Sequence, residues 1–563
     1  MKRPYFVIIS CFISMLLLLS ACSQNVPTAN NTNDNNGKNS TTDSNNVTGP
    51  TVNPPGQFPI VDEKITLRVA VNGNPLVEDF KTNEYTQYLE EKTNIKVEWI
   101  VLDPQSSQEQ LNLILIGGEL PDVIMNMNIS PEQQMIYGEQ GIFVSFTELI
   151  EQYGENTKQI FQEMPEVKEA ITAPGNRIFS LPYINECIHC SMNFKMYVYQ
   201  PWLEKLQLEE PTTLDEFYDM LVAFKTLDPN GNNKADEIPM TASPGQPRSI
   251  IDPFIMNSFI YDDGMKRMIV EDGKIDVVYN KPEWQAGLQY LNKLYKAGLI
   301  AEQSFTQDNE SYKKLIENPG INIVGAAPAH SPSTITIVEG ESNRWIEFQP
   351  IAPLKGPSGE QNAFWNPYDK IKGGNFIMTS ANKYPEATMR WADYMYEFEN
   401  GLRSNFGTEG KSWSKPESGD VGRDGEPAQY RLLVPHGRVQ NESWAQFGLN
   451  YRTDKQHYAG QAVLSELDKE KMYFDVTMEK YHPYIPNIET IVPPLFFTPE
   501  DSQALAELDK TINDYVNHMI ANFITGESDL DKGWNNYINT LNGMELEKYI
   551  AIYQKAYDEK MTQ

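Results

Sequence analysis

Residues 65–125 switch repeatedly between two hydrophobic periods, and no other stretch limits the possible fold as much. Residues 65–71 (ITLRVAV) and 95–101 (IKVEWIV) alternate in polarity and are rich in β-branched side chains, which predicts strands. Between them, residues 84–92 place Tyr85, Tyr88 and Leu89 on one helical face. A second helical run, residues 108–116, stops at Gly117 and Gly118, and residues 122–125 (DVIM) read as a third strand. Strand, helix, strand, helix, strand predicts right-handed βαβ units on a parallel sheet, hence an α/β fold. Open α/β sheets bind ligands beyond the carboxyl ends of their strands. That rule makes Asn72 and Asn74, after the first strand, and Asn126 and Asn128, after the third, candidate ligand-binding amides. Their competing role is to cap the helices that follow.

The N-terminus has a different character. Lys2 and Arg3 precede an apolar run from Tyr5 to Leu19, and Leu19-Ser20-Ala21-Cys22 ends it, which predicts a signal peptide over 1–21. This ending resembles the lipobox of bacterial lipoproteins, which implies cleavage before Cys22, acylation of its thiol with fatty acids such as palmitate, and a lipid-anchored protein facing the extracellular side of the membrane. Residues 22–62 are dense in Asn, Thr, Ser, Pro and Gly and are expected to form a disordered tether. No later segment is apolar enough over 18 residues to span a bilayer.

The remaining chain, about 500 residues, is too long for one simple core and suggests two lobes. The formal charge is −31, and removal of the leader makes it two units more negative. Such a balance excludes a nucleic-acid-binding footprint and disfavours adhesion to anionic lipid. Beyond Cys11 in the leader and Cys22, only Cys187 and Cys190 remain, flanking His189. A single Cys-x-x-Cys lacks the four ligands of structural zinc, so a disulfide or two free thiols are the readings left open.

Residues 227–239 (LDPNGNNKADEIP) carry oxygen-bearing side chains in alternation. Asp228, Asn230 and Asn232 fall at positions 1, 3 and 5 of an EF-hand-type loop, the Lys234 carbonyl at 7 and Asp236 at 9, with Glu237 beside it. Calcium prefers six to eight hard oxygens at about 2.3–2.6 Å, which such a loop can supply. Position 6 is Asn233, which tolerates a left-handed turn. Position 12 is Pro239, so Asp236 or Glu237 must close the shell. The competing reading is a solvated polar turn. The loop, 228–237, resembles the structural Ca2+ loop of alginate-binding and related sugar-binding proteins.

Resemblance then extends along the chain. "IKVEWI", "QEQLNLILIGGELPDVI", "GIFVSFTELIEQY", "GNRIFSLPYIN", "MYVYQPWLEKL", "WIEFQPIAPLKGPSG", "GGNFIMTSANKYPEATMRWADYMYEFENG" and "NFGTEGKSW" occur in an order similar to that of the extracellular solute-binding lipoproteins of ABC importers, in the maltose-binding class. The resemblance implies a two-lobe periplasmic-binding-protein-like α/β fold with hinge crossings between lobes. The expected first lobe is 63–186 with 374–410, and the second 187–373 with 411–563. It also implies a monomer that captures a carbohydrate, expected to be an oligosaccharide, and delivers it to permease subunits.

Sugar sites combine aromatic faces with a few convergent polar groups. Trp99, Trp284 and Trp391 lie in periodic segments and are expected to pack. Trp365 and Tyr368, Trp413, Trp444, and Tyr183 with Asn185 lie in polar or hinge-proximal stretches, where each either meets ligand or packs a lobe. No GxSxG, HExxH, P-loop or GxGxxG stands in a supporting context, so no enzyme is expected. A sensor or adhesin lipoprotein is the alternative, and a secreted carbohydrate-active enzyme a more distant one.

Overall fold

The computed structural model describes residues 50–245, 247–338, 340–434, 438–462 and 469–562. The signal peptide, Cys22 and the tether up to residue 49 lie outside the described residues. In chain order the strands that matter here are β1 (Ile65–Asn72), β2 (Ile95–Leu102), β3 (Val123–Met125), β4 (Leu181–Asn185) and β5 (Lys195–Tyr199). They continue with β6 (Ile238–Met240), β7 (Val324–Ala329), β8 (Phe348–Pro350), β9 (Ile371–Met378) and β10 (Tyr451–Arg452).

The βαβ reading holds. β1 pairs in parallel with β2 and with β3. The intervening helices run over Glu84–Thr93 and Ser107–Gly117. The Asn83 side chain accepts from Tyr85 N to start the first helix, and Asn94 at φ 61° ends it. Gly118, at φ 77°, supplies the left-handed stop of the second. Beyond β3 the sheet becomes mixed, in the order β10-β4-β9-β3-β1-β2, with β9 antiparallel to both β3 and β4. A second, four-stranded sheet has the order β8-β5-β7-β6. Each sheet has its own apolar core: Val69, Leu89, Phe376 and Trp391 belong to the first, and Val198, Phe224, Trp284 and Leu291 to the second. The helices Pro499–Thr525, Leu530–Gly543 and Leu546–Met561 pack on the second core.

Among the described residues the chain changes sides at three places: from β4 to β5, from β8 to β9, and between β10 and the helix Lys469–Lys480. Two expected boundaries move. Residues 50–62 are not tether: Ile60 and Val61 are fully buried in the first core, Val52 bridges Val61, and Arg390 donates to the Gln57 carbonyl at 3.0 Å. Residues 411–452 do not follow the second lobe. β10 pairs with β4, and Trp444 and Leu449 sit in the first core. The segment has no helical or strand period to announce this; it is knitted on by single bonds, such as Gln440 N to the Leu76 carbonyl at 3.0 Å.

Candidate functional site: a cleft at the crossings

The three crossings enclose a cavity of about 460 Å³. β4 supplies Tyr183 and Asn185 from the first sheet, and the second crossing supplies Trp365 and Lys370. Arg248 and His330 face it from the second sheet's side. Three of the expected ligand residues, Tyr183, Asn185 and Trp365, therefore meet here, all half-buried. Burial pushes the Tyr183 phenol up, while the Arg452 charge opposes that shift. Asn185 Oδ1 accepts from Arg452 Nε at 2.6 Å, which fixes the amide. The Trp365 carbonyl accepts from the Tyr261 hydroxyl at 2.8 Å, which anchors its backbone at the cavity edge, while its ring packs against the second core.

One carboxylate ties the crossings together. Glu186, in the first crossing, accepts from Lys370 Nζ of the second at 3.0 Å and from Asp454 N of the third at 2.9 Å. Lys370 also reaches Glu166 at 2.9 Å. Burial disfavours the Lys370 charge, but these two carboxylates outweigh it and raise its pKa. Lys372 is paired with Asp369 at 2.5 Å. Burial, then the Glu186 charge, pushes the Asp454 carboxyl up to about 6.

Cys187 and Cys190 form a disulfide on the cavity wall, which settles the alternatives left by the sequence. His189 is buried beneath it, with Nδ1 3.1 Å from the Tyr458 hydroxyl and Nε2 3.7 Å from Glu470. Burial pushes this imidazole down to about 3, against the pull of Glu470.

Tyr368 borders a second, larger cavity of about 1160 Å³ between Ser130 and Gln133 on one side and Pro494 and Asp509 on the other. Asp369 borders both cavities, so they flank the second crossing.

Two expected ligand aromatics are corrected. Trp413 and Trp444 are each 1% exposed. Trp413 packs with Leu402 and Tyr430 and donates Nε1–H to the Gly407 carbonyl at 2.9 Å. Trp444 packs edge-on to Tyr85 and Trp99 and donates to Thr86 Oγ1 at 2.8 Å. Both indoles are core, because polar sequence neighbours do not report on a ring's own surroundings.

The four asparagines border neither cavity. Asn74 donates to the Trp444 and Ala445 carbonyls at 3.4 and 3.5 Å. Asn126, at φ 55°, accepts from Gly448 N at 3.2 Å, and its amide nitrogen is buried without a partner among the described residues. Asn72 Oδ1 is likewise buried and unpartnered, and Asn128 is exposed at φ 48°. Two of them, Asn74 and Asn126, serve the seam between the strand ends and residues 444–448. Sequence reasoning missed Arg248, His330, Glu186 and Asp454. For His330 a signal existed, since it follows the carboxyl end of β7, where such sheets place ligands.

The loop 228–237 lies apart from the cleft, and none of its residues borders that cavity. The helix Leu214–Thr226 leads into it, capped by Thr213 Oγ1 accepting from Glu216 N and held by Phe217, Leu221 and Phe224 in the second core. Asp228 curls the chain by accepting from the backbone of Gly231, Asn232 and Asn233 at 3.0–3.1 Å. Asn233 takes φ 60°, the left-handed turn expected at position 6. Asn230 and Asn232 donate to the Asp236 carboxylate at 2.8 and 3.0 Å, which holds its pKa low. Glu237 Oε1 is buried without a hydrogen-bond partner among the described residues, and burial, then Asp228 and Asp236, raises its pKa. Converging carboxylates with an orphaned oxygen fit a hard divalent cation such as calcium, which would relieve that repulsion. Asp228, Asn230, Asn232, Asp236 and Glu237 would offer side-chain oxygens, and Lys234 its carbonyl.

Known proteins place this architecture. The sequence is 29% identical over 510 residues to the fructooligosaccharide ABC transporter substrate-binding protein FusA of Streptococcus pneumoniae, covering 89% of this chain and 91% of that protein. The structure of S. pneumoniae FusA in complex with kestose matches at a TM-score of 0.73 and 27% identity, over 88% of this chain and 99% of that one. A further matching FusA structure is that of an EF-hand mutant in complex with fructo-nystose. A solute-binding protein from Bifidobacterium longum infantis, described as binding HMO and associated with an ABC transporter, shares the fold at a TM-score of 0.75 and 20% identity, over 88% of this chain and 99% of that one. The profile of the bacterial extracellular solute-binding proteins matches residues 73–400, more than half of the chain, and the protein belongs to that family.

Proposed function

We propose that the protein captures an extracellular oligosaccharide in the cavity at its crossings and presents it to the permease subunits of an ABC importer. The observation that carries this reading is the meeting of Tyr183 and Asn185 from one lobe with Trp365, Arg248 and His330 from the other around one cavity. An aromatic face for sugar C–H groups and fixed polar groups for hydroxyls are what such a ligand requires. The similarity to FusA, known in complex with kestose, supports the same ligand class.

The first lobe comprises residues 50–185 and 371–452, and the second the rest of the described chain. Ligand closes them because it touches both lobes only when they approach, and differential affinity shifts the population. Calcium fills the 228–237 loop as a structural ion, which the FusA EF-hand mutant supports by analogy. Acylation at Cys22 tethers the monomer to the outer face of the membrane; among the described residues no helix is long and apolar enough to cross it.

A thermal-shift screen of oligosaccharides, kestose included, identifies the ligand. Small-angle scattering then reads closure as a smaller radius of gyration. Closure with peptides and with no glycan would remove the carbohydrate reading and leave the binding-protein reading in place.

A further inference from the structure

The cavity is asymmetric in charge, and the asymmetry singles out one residue. All of its carboxylates come from the crossings, and each already has a partner. Glu186 holds Lys370, Asp369 holds Lys372, and Asp454 accepts from Ile188 N at 3.2 Å. The lining residues from the second sheet's side, Arg248, His330 and His482 among them, include no acid. Neither does the small pocket behind them, which contains Lys195 and His189. Lys195 is 3% exposed, and among the described residues Nζ donates only to main-chain carbonyls, those of His189 and Met192. Burial pushes it down to about 7, with no carboxylate acting on it. Lys195 and Arg248 both add to the burial that holds His330 down to about 3.

Arg248 is the exposed end of this wall. It is half-buried and borders the cavity, and among the described residues it makes no ion pair or hydrogen bond to a protein group. Shortage of acids does not explain this, because the chain has 77 acidic residues against 46 lysines and arginines. The residue after it is anchored: Ser249 is fully buried, and its carbonyl accepts from Ser243 N at 2.9 Å. A guanidinium beside such an anchor, without a partner among the described residues, is a fork open to a planar anion. Trp365 borders the same cavity.

Resting on the oligosaccharide reading above, we infer that Arg248 is the specificity-determining residue of the cleft and that the ligand is an acidic glycan, with a uronic-acid carboxylate seated on this guanidinium. Lys370 and Lys372 do not select for charge, because the crossing carboxylates already hold them. The ligand's neutral hydroxyls are left to the polar groups opposite.

Isothermal titration tests this with oligogalacturonate and oligomannuronate trimers as free acids, the same trimers as methyl esters, and kestose. The proteins are the wild type, Arg248→Gln and Arg248→Lys, each checked by its melting temperature. One of the two acids is expected to bind the wild type, and its ester to bind about tenfold to a hundredfold more weakly. Arg248→Gln should weaken the acid far more than the ester and bring the two to similar affinity, while Arg248→Lys should recover part of the loss. Equal binding of acid and ester, or equal loss of both in Arg248→Gln, would overturn the inference. If kestose binds and neither acid does, the acidic-glycan inference fails while oligosaccharide capture stands. If none of these glycans binds, both fall.

Discussion

The loop 228–237 and the cleft at the crossings are both clusters of polar side chains, but they are assembled differently. The loop gathers its oxygens from ten consecutive residues, closing back on itself through Asp228. The cleft draws on residues between Tyr183 and Ile488, brought together by three passages of the chain between two sheets. A contiguous cluster depends on local turn geometry, so its loss should affect stability around the ion. A dispersed cluster depends on two cores and a hinge, so it can change shape and carry the ligand response.

The largest effect should come from the packing that holds the cleft's frame. Trp444→Ala removes a fully buried indole and its bond to Thr86, and should cost about 3–5 kcal/mol of stability. Chemical denaturation checks this, and glycan affinity measured on the folded protein should change little. A large loss of affinity without loss of stability would instead make Trp444 a ligand residue. The loop comes next. Calcium at a hundred times its dissociation constant should stabilise the protein by about 2.7 kcal/mol. Chelator should lower the melting temperature accordingly, and Asp228→Ala should abolish the calcium response. A melting curve indifferent to both would remove the cation from the loop.

Effects within the cleft are smaller. Trp365→Ala should weaken glycan binding by about 1–3 kcal/mol, by analogy with stacking on other ring faces. The smallest concerns Asp454. Its folded pKa of about 6 lies above the ordinary aspartate value of 3.8, so the folded state binds the extra proton between those values. Stability from this group is therefore full below about 3.8 and is lost as pH rises through about 6. His189 contributes with the opposite sign, because its folded pKa is lowered. Subtracting the pH profile of Asp454→Asn from that of the wild type isolates the carboxyl. A difference that is flat between pH 4 and 6 would show that Asp454 is not perturbed.

Sequence legibility follows the same division. β1 to β3 and their helices were readable because one face of each is buried and the other wet, which leaves a period. β7 was not, since all six residues of VGAAPA are buried and small, and no alternation survives. The loop's curl about Asp228 and the left-handed Asn233 were visible from spacing alone. Of the cleft, Tyr183, Asn185 and Trp365 were legible through their nearness to the crossings. Arg248 and Glu186 were not, because their importance lies in which partners they have or lack, and pairing across the fold leaves no mark in local composition. Trp413 and Trp444 misled for the converse reason: a polar neighbourhood in sequence became a buried seam in space.

Titration of the best-binding glycan into three proteins, wild type, Trp365→Ala and Asp228→Ala, with calcium present, tests most directly whether the cleft rather than the loop is the binding site. The expected result is weakened binding in Trp365→Ala and wild-type affinity in Asp228→Ala. Undiminished affinity in Trp365→Ala, with binding lost in a folded Asp228→Ala, would contradict it.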